Sequence, residues 1–320
     1  MLTSFLPYGL RKIWGHQANR APGGLSAVAR CLRRSGSWGS YQLQKQLGTF
    51  PDEGRVIPWV DGLQVHLLRN SQQSQACLYF GLSDWPSMQF LRRFLRQGDL
   101  CADIGANVGT YSLLLARHAG ASSVHAFECL PSNIPKLHAN LSLNGFDGSG
   151  GVTVHAEALA DREGLMTLNR SDGDFTTSIS PPPSGSGGET DSQGEQAWVQ
   201  ARRLDGFSWP DRFAYIKIDV EGTEQLVLSG SEQLLRRAPP MVWSFEYLDT
   251  QQRLGSSKAA LLEAFARWQY SFYLYCPATN VLVPFKPDSY AAYPARNDDN
   301  VLAIHASALD LAARRLCGLE

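Results

Sequence analysis

The sequence has no long hydrophobic run and no excess of charge of one sign. No stretch approaches the roughly 18 apolar residues that a membrane-spanning helix needs. The 29 lysine and arginine residues nearly balance the 30 aspartate and glutamate residues, so the formal net charge is -1. A chain without a basic surplus has no general field that attracts nucleic acid or an anionic membrane. We therefore expect a cytoplasmic protein with no membrane span and no nucleic-acid partner.

Cysteine is also scarce. The 6 cysteines are scattered along the chain, and none belongs to a Cys-x-x-Cys pair or to a cysteine and histidine set at zinc spacing. This distribution predicts reduced thiols, as in cytoplasmic proteins, and no metal site built from cysteine.

What the sequence does contain is enough apolar material for a full core. Hydrophobic residues make up 43% of the 320 residues, and their clustering on both sides of Asp61 and Gly62 predicts a β-hairpin, because this dipeptide favours tight turns. Composition divides the chain into an N-terminal α/β extension with a helix and this hairpin (1–75), a main domain (76–310) with a flexible, serine- and glycine-rich insert (171–197), and a C-terminal tail (311–320).

Two hydrophobic periods alternate along the main domain. Helical periodicity is found at 85–95, 131–143, 221–237 and 258–268. Short apolar runs predict strands at 100–102, 123–127, 152–156, 215–220, 241–246, 272–275 and 300–305, and a β pair, 166–168 with 198–201, around the insert. Strands separated by helices pair in parallel through right-handed crossovers. The pattern predicts an α/β fold, in which a mostly parallel sheet has helices on both faces.

The most informative segment is Asp103 to Gly109, which reads Asp-Ile-Gly-Ala-Asn-Val-Gly and follows an apolar strand. Glycine lets the backbone approach a ligand without a Cβ in the way, and Asn107 tolerates the backbone angles of such a turn. A helix-like stretch follows, so a ligand would lie near a helix N-terminus. A second apolar run ends in Glu128, about 20 residues after the glycines, where nucleoside-binding folds place the acid that binds ribose hydroxyls.

The residues of this turn distinguish between nucleoside cofactors. A nicotinamide-binding turn carries a central glycine that lets the backbone touch a pyrophosphate, and Asn107 has that position here. Asp103, just before the first glycine, would repel a diphosphate but attract the ammonium group of an amino acid. The turn therefore favours S-adenosylmethionine, which carries ribose and a cationic amino-acid tail without phosphate.

A second group of charged residues follows the next buried strand. Lys217 and Asp219 share one face of that strand, because side chains alternate. In the usual nucleoside-methylating topology, Asp103, Asp219 and Glu246 gather along one edge of the sheet. Carboxylates so close together raise the pKa of at least one of them and create a candidate general base, unless Lys217 or a divalent cation neutralises them.

The acids after Asp219 have a simpler explanation. Glu221 and Glu224 lie in the first turn of the predicted helix, where negative side chains stabilise the helix dipole, and Lys217 is explained as a structural counter-ion. Glu224 is equally consistent with capping and with function. Asp219 is favoured as functional because it ends a buried strand beside the predicted cofactor turn.

Four motifs occur in a fixed order along the chain. They are Asp103 to Gly109 with Tyr111, Glu128 followed by Pro131 and Asn133, Arg203-Leu204-Asp205, and Ile216 to Glu224, which reads Ile-Lys-Ile-Asp-Val-Glu-Gly-Thr-Glu. In sequence, order and spacing they resemble the FkbM family of S-adenosylmethionine-dependent methyltransferases. The resemblance covers about residues 85–243, extends loosely over the C-terminal quarter and does not include residues 1–70.

The resemblance implies a class I methyltransferase fold, which is Rossmann-like, with S-adenosylmethionine as cofactor and a hydroxyl oxygen of a small molecule or sugar as methyl acceptor. It implies that Asp103, Gly105 and Asn107 surround the methionine part of the cofactor and that Glu128 binds its ribose. Thr223 lies where the family often carries histidine, and threonine cannot act as a base at neutral pH. The candidate cofactor-binding residues are Asp103, Gly105, Asn107, Gly109, Tyr111 and Glu128.

Methyl transfer is an in-line displacement at a sulfonium carbon, in which the enzyme aligns the acceptor oxygen and removes its proton. The candidate catalytic residues are Asp219, Glu246 and Lys217. Either carboxylate takes the proton or orients the acceptor, and the lysine tunes their charge. His305 is a weaker candidate. A divalent cation that bridges the carboxylates as a Lewis acid is the alternative that the sequence leaves open.

Two further functions are compatible with these motifs. One is a cofactor-binding or interaction module without catalysis, whose basic N-terminus docks a partner, and the other is methylation of a nitrogen acceptor. An adenine-methylating enzyme would carry a Pro-Pro-aromatic motif where Asp219 begins Asp-Val-Glu-Gly in this chain. The presence of Asp103, Glu128 and Asp219 argues against a loss of catalysis.

Overall fold

The computed structural model describes residues 39, 40, 43, 44, 46, 50–69, 71–170, 177–180, 197–247, 257–287 and 300–320. Most of the predicted insert and most of the helical part of the N-terminal extension lie outside these residues. Within them, no helix is both long and apolar enough to cross a membrane.

Strands and helices alternate along most of the described chain, as the hydrophobic periods predict. The strands are β1 (Arg55–Pro58), β2 (Gln64–Leu67), β3 (Leu100–Ile104), β4 (Val124–Phe127), β5 (Thr153–His155), β6 (Ala158–Leu159), β7 (Gly164–Arg170), β8 (Thr177–Ser180), β9 (Ala197–Arg202), β10 (Phe213–Ile218), β11 (Val242–Glu246), β12 (Tyr270–Cys276), β13 (Val281–Pro284) and β14 (Asn300–His305). The α-helices are α1 (Gln72–Phe80), α2 (Trp85–Phe94), α3 (Thr110–Ala119), α4 (Ile134–Leu143), α5 (Glu224–Ser229), α6 (Glu232–Arg237), α7 (Lys258–Arg267) and α8 (Leu309–Leu316).

The main sheet has 8 strands in the order β13-β12-β14-β11-β10-β3-β4-β5. The five strands from β11 to β5 pair in parallel, whereas β14, β12 and β13 pair antiparallel. β10 lies between β3 and β11, so the predicted adjacency of these strands is confirmed. Their carboxyl ends form one edge of the sheet, which we call the carboxyl edge and which Ile104, Ile218 and Glu246 mark.

Helices cover both faces of this sheet, and the predicted class I, Rossmann-like α/β fold is confirmed. Residues of α2, α3, α4 and α8 form one core, and residues of α5, α6 and α7 form the other. Successive residues of a strand point to opposite faces, so Tyr215 of β10 belongs to the first core and Ile216 to the second. The central strands are buried on both faces, as is usual for parallel sheets.

A second, smaller sheet has the order β6-β9-β7-β8. The predicted β pair around the insert is confirmed, because β7 and β9 pair antiparallel. The insert itself differs from the prediction in one part, since residues 177–180 form β8 against β7. Ile179 is buried in a small core with Met166, and this burial outweighs the polar composition that suggested a loop.

The prediction of a single helix at 221–237 is wrong, because the chain forms two short helices there. A Cβ at Gly230, between α5 and α6, would lie only 2.0 Å from the carbonyl oxygen of Ala160. α5 begins only at Glu224, because Glu221 and Gly222 have positive φ angles of 53° and 99°. Hydrophobic periodicity predicts neither the contact with Ala160 nor the positive φ angle of Glu221.

The C-terminal residues, predicted as a tail from 311, instead belong largely to α8. Ala312 and Leu316 are buried, and Arg315 forms an ion pair with Asp99 with an N–O distance of 2.7 Å. α8 is amphipathic, and its apolar face packs on the main domain.

The predicted hairpin is confirmed as the antiparallel pair β1 and β2. Asn140 of α4 connects it to the main domain, because its Oδ1 accepts from the N–H of His66 at 2.8 Å and its Nδ2 donates to the carbonyl of Val108 at 2.7 Å. The extension thus reaches the turn between β3 and α3 through one buried amide.

Candidate active site

The glycine turn, residues 105–109 between β3 and α3, has three residues with positive φ: Gly105 at 82°, Asn107 at 53° and Gly109 at 90°. A Cβ at Gly105 would lie 1.9 Å from the carbonyl oxygen of Asp219, and one at Gly109 would lie 2.5 Å from Cδ1 of Leu137. Both positions require glycine for backbone angle and for space. The turn is therefore fixed against β10 on one side and α4 on the other.

Glu128 braces this turn from the end of β4. One carboxylate oxygen accepts from the N–H of Asn107 at 2.7 Å, and the other accepts from the N–H of Leu130 at 2.7 Å. Burial raises the pKa of Glu128 above its usual value, although both N–H groups favour the ionised form. Each carboxylate oxygen can accept more than one hydrogen bond, so Glu128, which also interacts with the side chain of Asn133, can hold the turn and still accept from a neighbouring hydroxyl group.

Asp103 lies beneath the turn rather than at its surface. The residue is 1% exposed, and its Oδ2 accepts a hydrogen bond of 2.6 Å from Oγ of Ser112 on α3. Burial raises the pKa of Asp103 to about 6, against the opposing effects of Ser112 and the positive charge of Lys217. The structure thus gives Asp103 a position under the turn, from which its charge acts on a ligand without an open path to its oxygens.

Lys217 is buried in the layer of the sheet next to Asp103. It pairs in register with Asp103 on β3 and with Ser244 on β11, and its residue exposure is 0%. Its Nζ donates to Oδ1 of Asn300 at 2.8 Å and lies 5.2 Å from the ring centre of Tyr111. Tyr111, a predicted cofactor-binding residue, therefore lies against the lysine in the core.

The charge of Lys217 is held by the carboxylates at the carboxyl edge. Its Nζ lies 3.5 Å from Oδ2 of Asp219. Burial opposes the charge, but Asp219, Glu246 and Asp84 outweigh burial, so the pKa of Lys217 lies above its usual value. The lysine is thus a permanent cation on one side of the acids, as its predicted role in tuning their charge requires.

Glu246 and Asp219 influence each other strongly. The negative charge of Asp219, followed by burial, raises the pKa of Glu246 well above its usual range. Glu246 therefore holds a proton near neutral pH, while Asp219 forms the ion pair with Lys217. The acids that gather at this edge therefore include two chemically different groups, one that holds a proton and one that is paired with a cation.

His305, the weaker catalytic candidate, does not reach this edge. β14 runs antiparallel to β11 and pairs Val242 with Ile304, so its C-terminal end lies at the opposite edge of the sheet. There, Nδ1 of His305 accepts from the N–H of Ser307. Sequence alone does not give the direction of β14, and with this direction His305 lies away from Asp219 and Glu246.

Three residues of the site were not predicted: Ser112, Asn300 and Asp84. Ser112 satisfies the buried acid, Asn300 fixes the lysine, and Asp84, which precedes α2, acts on the charges of Lys217 and Glu246. A polar residue at the start of an apolar strand was the available signal for Asn300. Asp84 gave no signal, because its position depends on how α2 packs on the sheet.

The residues at the carboxyl edge fit S-adenosylmethionine. The acids Asp103, Glu128 and Asp219 suit a cationic ligand that carries ribose hydroxyls, and a diphosphate would be repelled by them. Thr110 opens α3 with a buried Oγ1 that has no hydrogen-bond partner among the described residues, as expected where a ligand supplies one. In the described part of the chain, no three His, Cys, Asp or Glu side chains are arranged to hold a metal ion.

Comparison with known proteins gives one match that spans more than half of the chain. The sequence profile of the Methyltransferase FkbM domain matches residues 103–304. No curated protein matches the chain.

Several solved structures are similar over much of the chain, at low identity. An rRNA methylase from Streptococcus thermophilus is 14% identical and covers 68% of this chain and 91% of its own, with a TM-score of 0.38. A putative methyltransferase from Streptococcus mutans in complex with SAH is 11% identical over 68% and 93%, with a TM-score of 0.38. An S-adenosylmethionine-dependent O-methyltransferase from Thermotoga maritima is 13% identical over 81% and 80%, with a TM-score of 0.37. TM-scores this low carry no argument about substrate.

Proposed function

Because this chain belongs to the FkbM family of S-adenosylmethionine-dependent methyltransferase domains, we propose that it transfers the methyl group of S-adenosylmethionine to a hydroxyl oxygen of a small molecule or sugar. The observation that carries the choice of oxygen is the pair of unlike acids, Asp219 and Glu246, beside the buried cation Lys217 and the glycine turn. A hydroxyl acceptor needs both an anion that orients it and a group that balances the charge formed when its proton leaves. We expect the protein to act in the cytoplasm.

The glycine turn and Glu128 form the cofactor site in this proposal. Glu128 binds the ribose hydroxyls with its remaining lone pairs, while Gly105, Asn107 and Gly109 let the backbone approach the methionine part. Asp103 favours the cationic tail through its charge from beneath the turn. When bound, the cofactor supplies an electrophilic methyl group, and the protein's own task is to position the acceptor oxygen against it.

The acceptor site in this proposal lies beside Asp219. Its carboxylate, held by Lys217 at 3.5 Å, accepts a hydrogen bond from a hydroxyl group next to the reacting one and so holds the reacting oxygen against the methyl group. Glu246 in its protonated form donates a hydrogen bond to a neighbouring oxygen of the acceptor. Sugars and other polyols offer such adjacent oxygens, and this favours them as the acceptor class.

Binding is the first test. Calorimetric titration of the full chain with S-adenosylmethionine and with S-adenosylhomocysteine should give micromolar affinity, lost in Gly105→Ala and weakened in Glu128→Gln. Asp310→Asn is the matched control, because Asp310 is an exposed carboxylate on α8 whose side chain is 86% exposed. Absence of binding to the folded wild type would overturn the proposal.

Turnover is the second test. A panel of sugars, phenols and amines, assayed with labelled S-adenosylmethionine, should give methylated hydroxyl groups with the wild type and none with Asp219→Ala. The Asp219→Ala variant should still bind S-adenosylhomocysteine, because the side chain of Asp219 lies outside the cofactor turn. Methylation only of amines would establish the nitrogen-acceptor alternative, and binding without turnover on any acceptor would establish the non-catalytic alternative.

A further inference from the structure

The segment that connects β10 to α5 forms a tight turn at the carboxyl edge. The N–H and Oγ1 of Thr223 donate to the carbonyl of Val220 at 3.4 and 2.9 Å. The two central residues, Glu221 and Gly222, have φ angles of 53° and 99°. A four-residue turn with two positive central φ angles is of the type I′ class, which strongly favours glycine, asparagine or aspartate at both central positions.

Glutamate is an unfavourable residue at the first central position of this turn. A non-glycine residue with a long side chain is strained at a positive φ angle and persists only where its surroundings fix it. Here they do. The N–H of Asp219 donates to the carbonyl of Ile104 at 2.9 Å, and the carbonyl of Asp219 packs directly on Gly105. The glycine turn thus imposes the backbone of the adjacent acidic turn.

The side chain of Glu221 has no bonding partner in the described part of the chain that would explain this strain. It is half-buried, and it forms no hydrogen bond or ion pair with another described residue, whereas Asp219 pairs with Lys217. Its neighbour Glu224 is 3% exposed, and Oε2 of Glu224 has no hydrogen-bond partner among the described residues. Two carboxylates therefore lie side by side with acceptor capacity that the described protein leaves unused, and only that of Glu221 is accessible.

Three acids at the carboxyl edge, Glu246, Asp219 and Glu221, differ in their ability to accept a proton. Glu246 already holds one near neutral pH, and the carboxylate of Asp219 is already paired with the ammonium group of Lys217 at 3.5 Å. Burial, followed by the charges of Asp219 and Glu224, raises the pKa of Glu221 to about 7, against the opposing charge of Lys217. A general base is most effective when its pKa lies near the working pH.

We propose that Glu221 is the general base of the methyl transfer, held in a strained turn so that its free carboxylate faces the acceptor hydroxyl that Asp219 orients. This inference rests on the proposed function and assigns its proton-transfer step. The O–H bond of the acceptor breaks and its proton passes to a carboxylate oxygen of Glu221. The oxygen lone pair forms the new O–CH3 bond while the C–S bond breaks, and the sulfur keeps that electron pair as a neutral thioether.

The test compares E221Q, E221G and Q269G in the full chain, with S-adenosylhomocysteine as the binding probe and the acceptor found in the screen as substrate. Gln269 is the matched control, because it is an exposed residue at a positive φ of 62° just after α7. Replacement by glycine at either position relieves the same backbone strain. Only the change at Glu221 removes a carboxylate from the site.

We expect E221Q and E221G to bind the probe within about 3-fold of wild type and to lose about 100-fold or more in kcat, the usual contribution of a general base. The rise of kcat with pH around neutrality should disappear in E221Q. The Tm of E221G should equal or exceed that of wild type, and Q269G should match E221G in Tm while keeping full activity.

Three results would overturn the inference. They are a kcat of E221Q within about 3-fold of wild type, an unchanged pH profile in E221Q, and a fall in the Tm of E221G that marks Glu221 as a structural residue. If the wild type binds no probe or methylates no hydroxyl group, the proposed function fails and this inference fails with it. If transfer by wild type is established and survives in E221Q, this inference alone fails.

Discussion

Two turns meet at the carboxyl edge of the sheet, and they are built in opposite ways. In the glycine turn, 105–109, two of the three positive φ angles belong to glycine, and its acid neighbours Glu128 and Asp103 are both hydrogen-bonded. In the acidic turn, 220–223, a glutamate has one of the two positive φ angles, and its carboxylate forms no bond with another described residue.

The difference suggests separate roles for the two turns, the glycine turn in binding the cofactor and the acidic turn in the reaction. A satisfied, glycine-rich turn costs little to form and keeps one shape, which suits the binding of a cofactor. A strained turn with a half-buried carboxylate that no described residue bonds is unfavourable alone, and such strain is concentrated at reactive sites. It exists here because the first turn supports it through the contact of Gly105 with the carbonyl of Asp219.

The most damaging single change should be Gly105→Ala, because it separates the two turns. Its Cβ would lie 1.9 Å from the carbonyl oxygen of Asp219, so backbone must move. We expect a loss of about 3 kcal/mol in the free energy of unfolding and no measurable binding of S-adenosylhomocysteine. Denaturant unfolding and calorimetry measure the two effects.

Gly98→Ala is the control for this change. Gly98 also has a positive φ of 90°, but a Cβ there would meet nothing within 4 Å. The loss should be about 1 kcal/mol, the cost of the backbone angle alone, with binding unchanged. Equal losses in the two variants would contradict the idea that the contact, rather than the angle, couples the turns.

The next largest effect should follow Lys217→Met, which removes the cation shared by the acids. Oδ1 of Asn300 would lose its donor, a loss of about 1–3 kcal/mol for a buried acceptor, and Asp219 would lose its ion pair. We expect kcat to fall about 100-fold and cofactor affinity to change little. A fall in affinity as large as the fall in kcat would place the lysine in the cofactor site instead.

Glu128→Gln should have an intermediate effect that is confined to the first turn. An amide offers one acceptor oxygen in place of two, so either Asn107 or Leu130 loses the acceptor of its N–H. We expect a loss of about 1 kcal/mol in stability and an affinity for S-adenosylhomocysteine about 10-fold lower by calorimetry, with kcat at saturation nearly unchanged. A selective loss of kcat would contradict the assignment.

The smallest effect should be a pH dependence of stability that belongs to the acidic turn. The pKa of Glu221 is raised from 4.5 to about 7 in the folded protein, so folding favours its protonated form. Its contribution is complete below about pH 4.5 and is lost as the pH rises through about 7. Relative to Glu221→Gln, the wild type should therefore lose stability over this range, as measured by denaturant unfolding at several pH values. No change in the difference would contradict the raised pKa.

The sequence predicted the glycine turn better than the acidic turn, for a physical reason. The positive φ angles of the glycine turn require residues such as Gly105, Asn107 and Gly109, so residue type indicates these angles directly. The acidic turn was interpreted as the start of a helix, because acids in that position usually complement the helix dipole. Its actual shape depends on packing against Gly105, far away in the chain, and this contact has no local signature.

Sequence by itself determined the family, the order of most strands and helices along the main domain, and the acids that end β3, β4, β10 and β11, since hydrophobic period and turn chemistry are local properties. Only the tertiary structure decided that Asp103 is buried beside Ser112, that Asn300 holds Lys217, that β14 takes His305 to the far edge, and that Glu221 is strained and has no bonding partner among the described residues. These depend on burial and on contacts between distant segments, which change pKa values and backbone angles without altering any pattern along the chain.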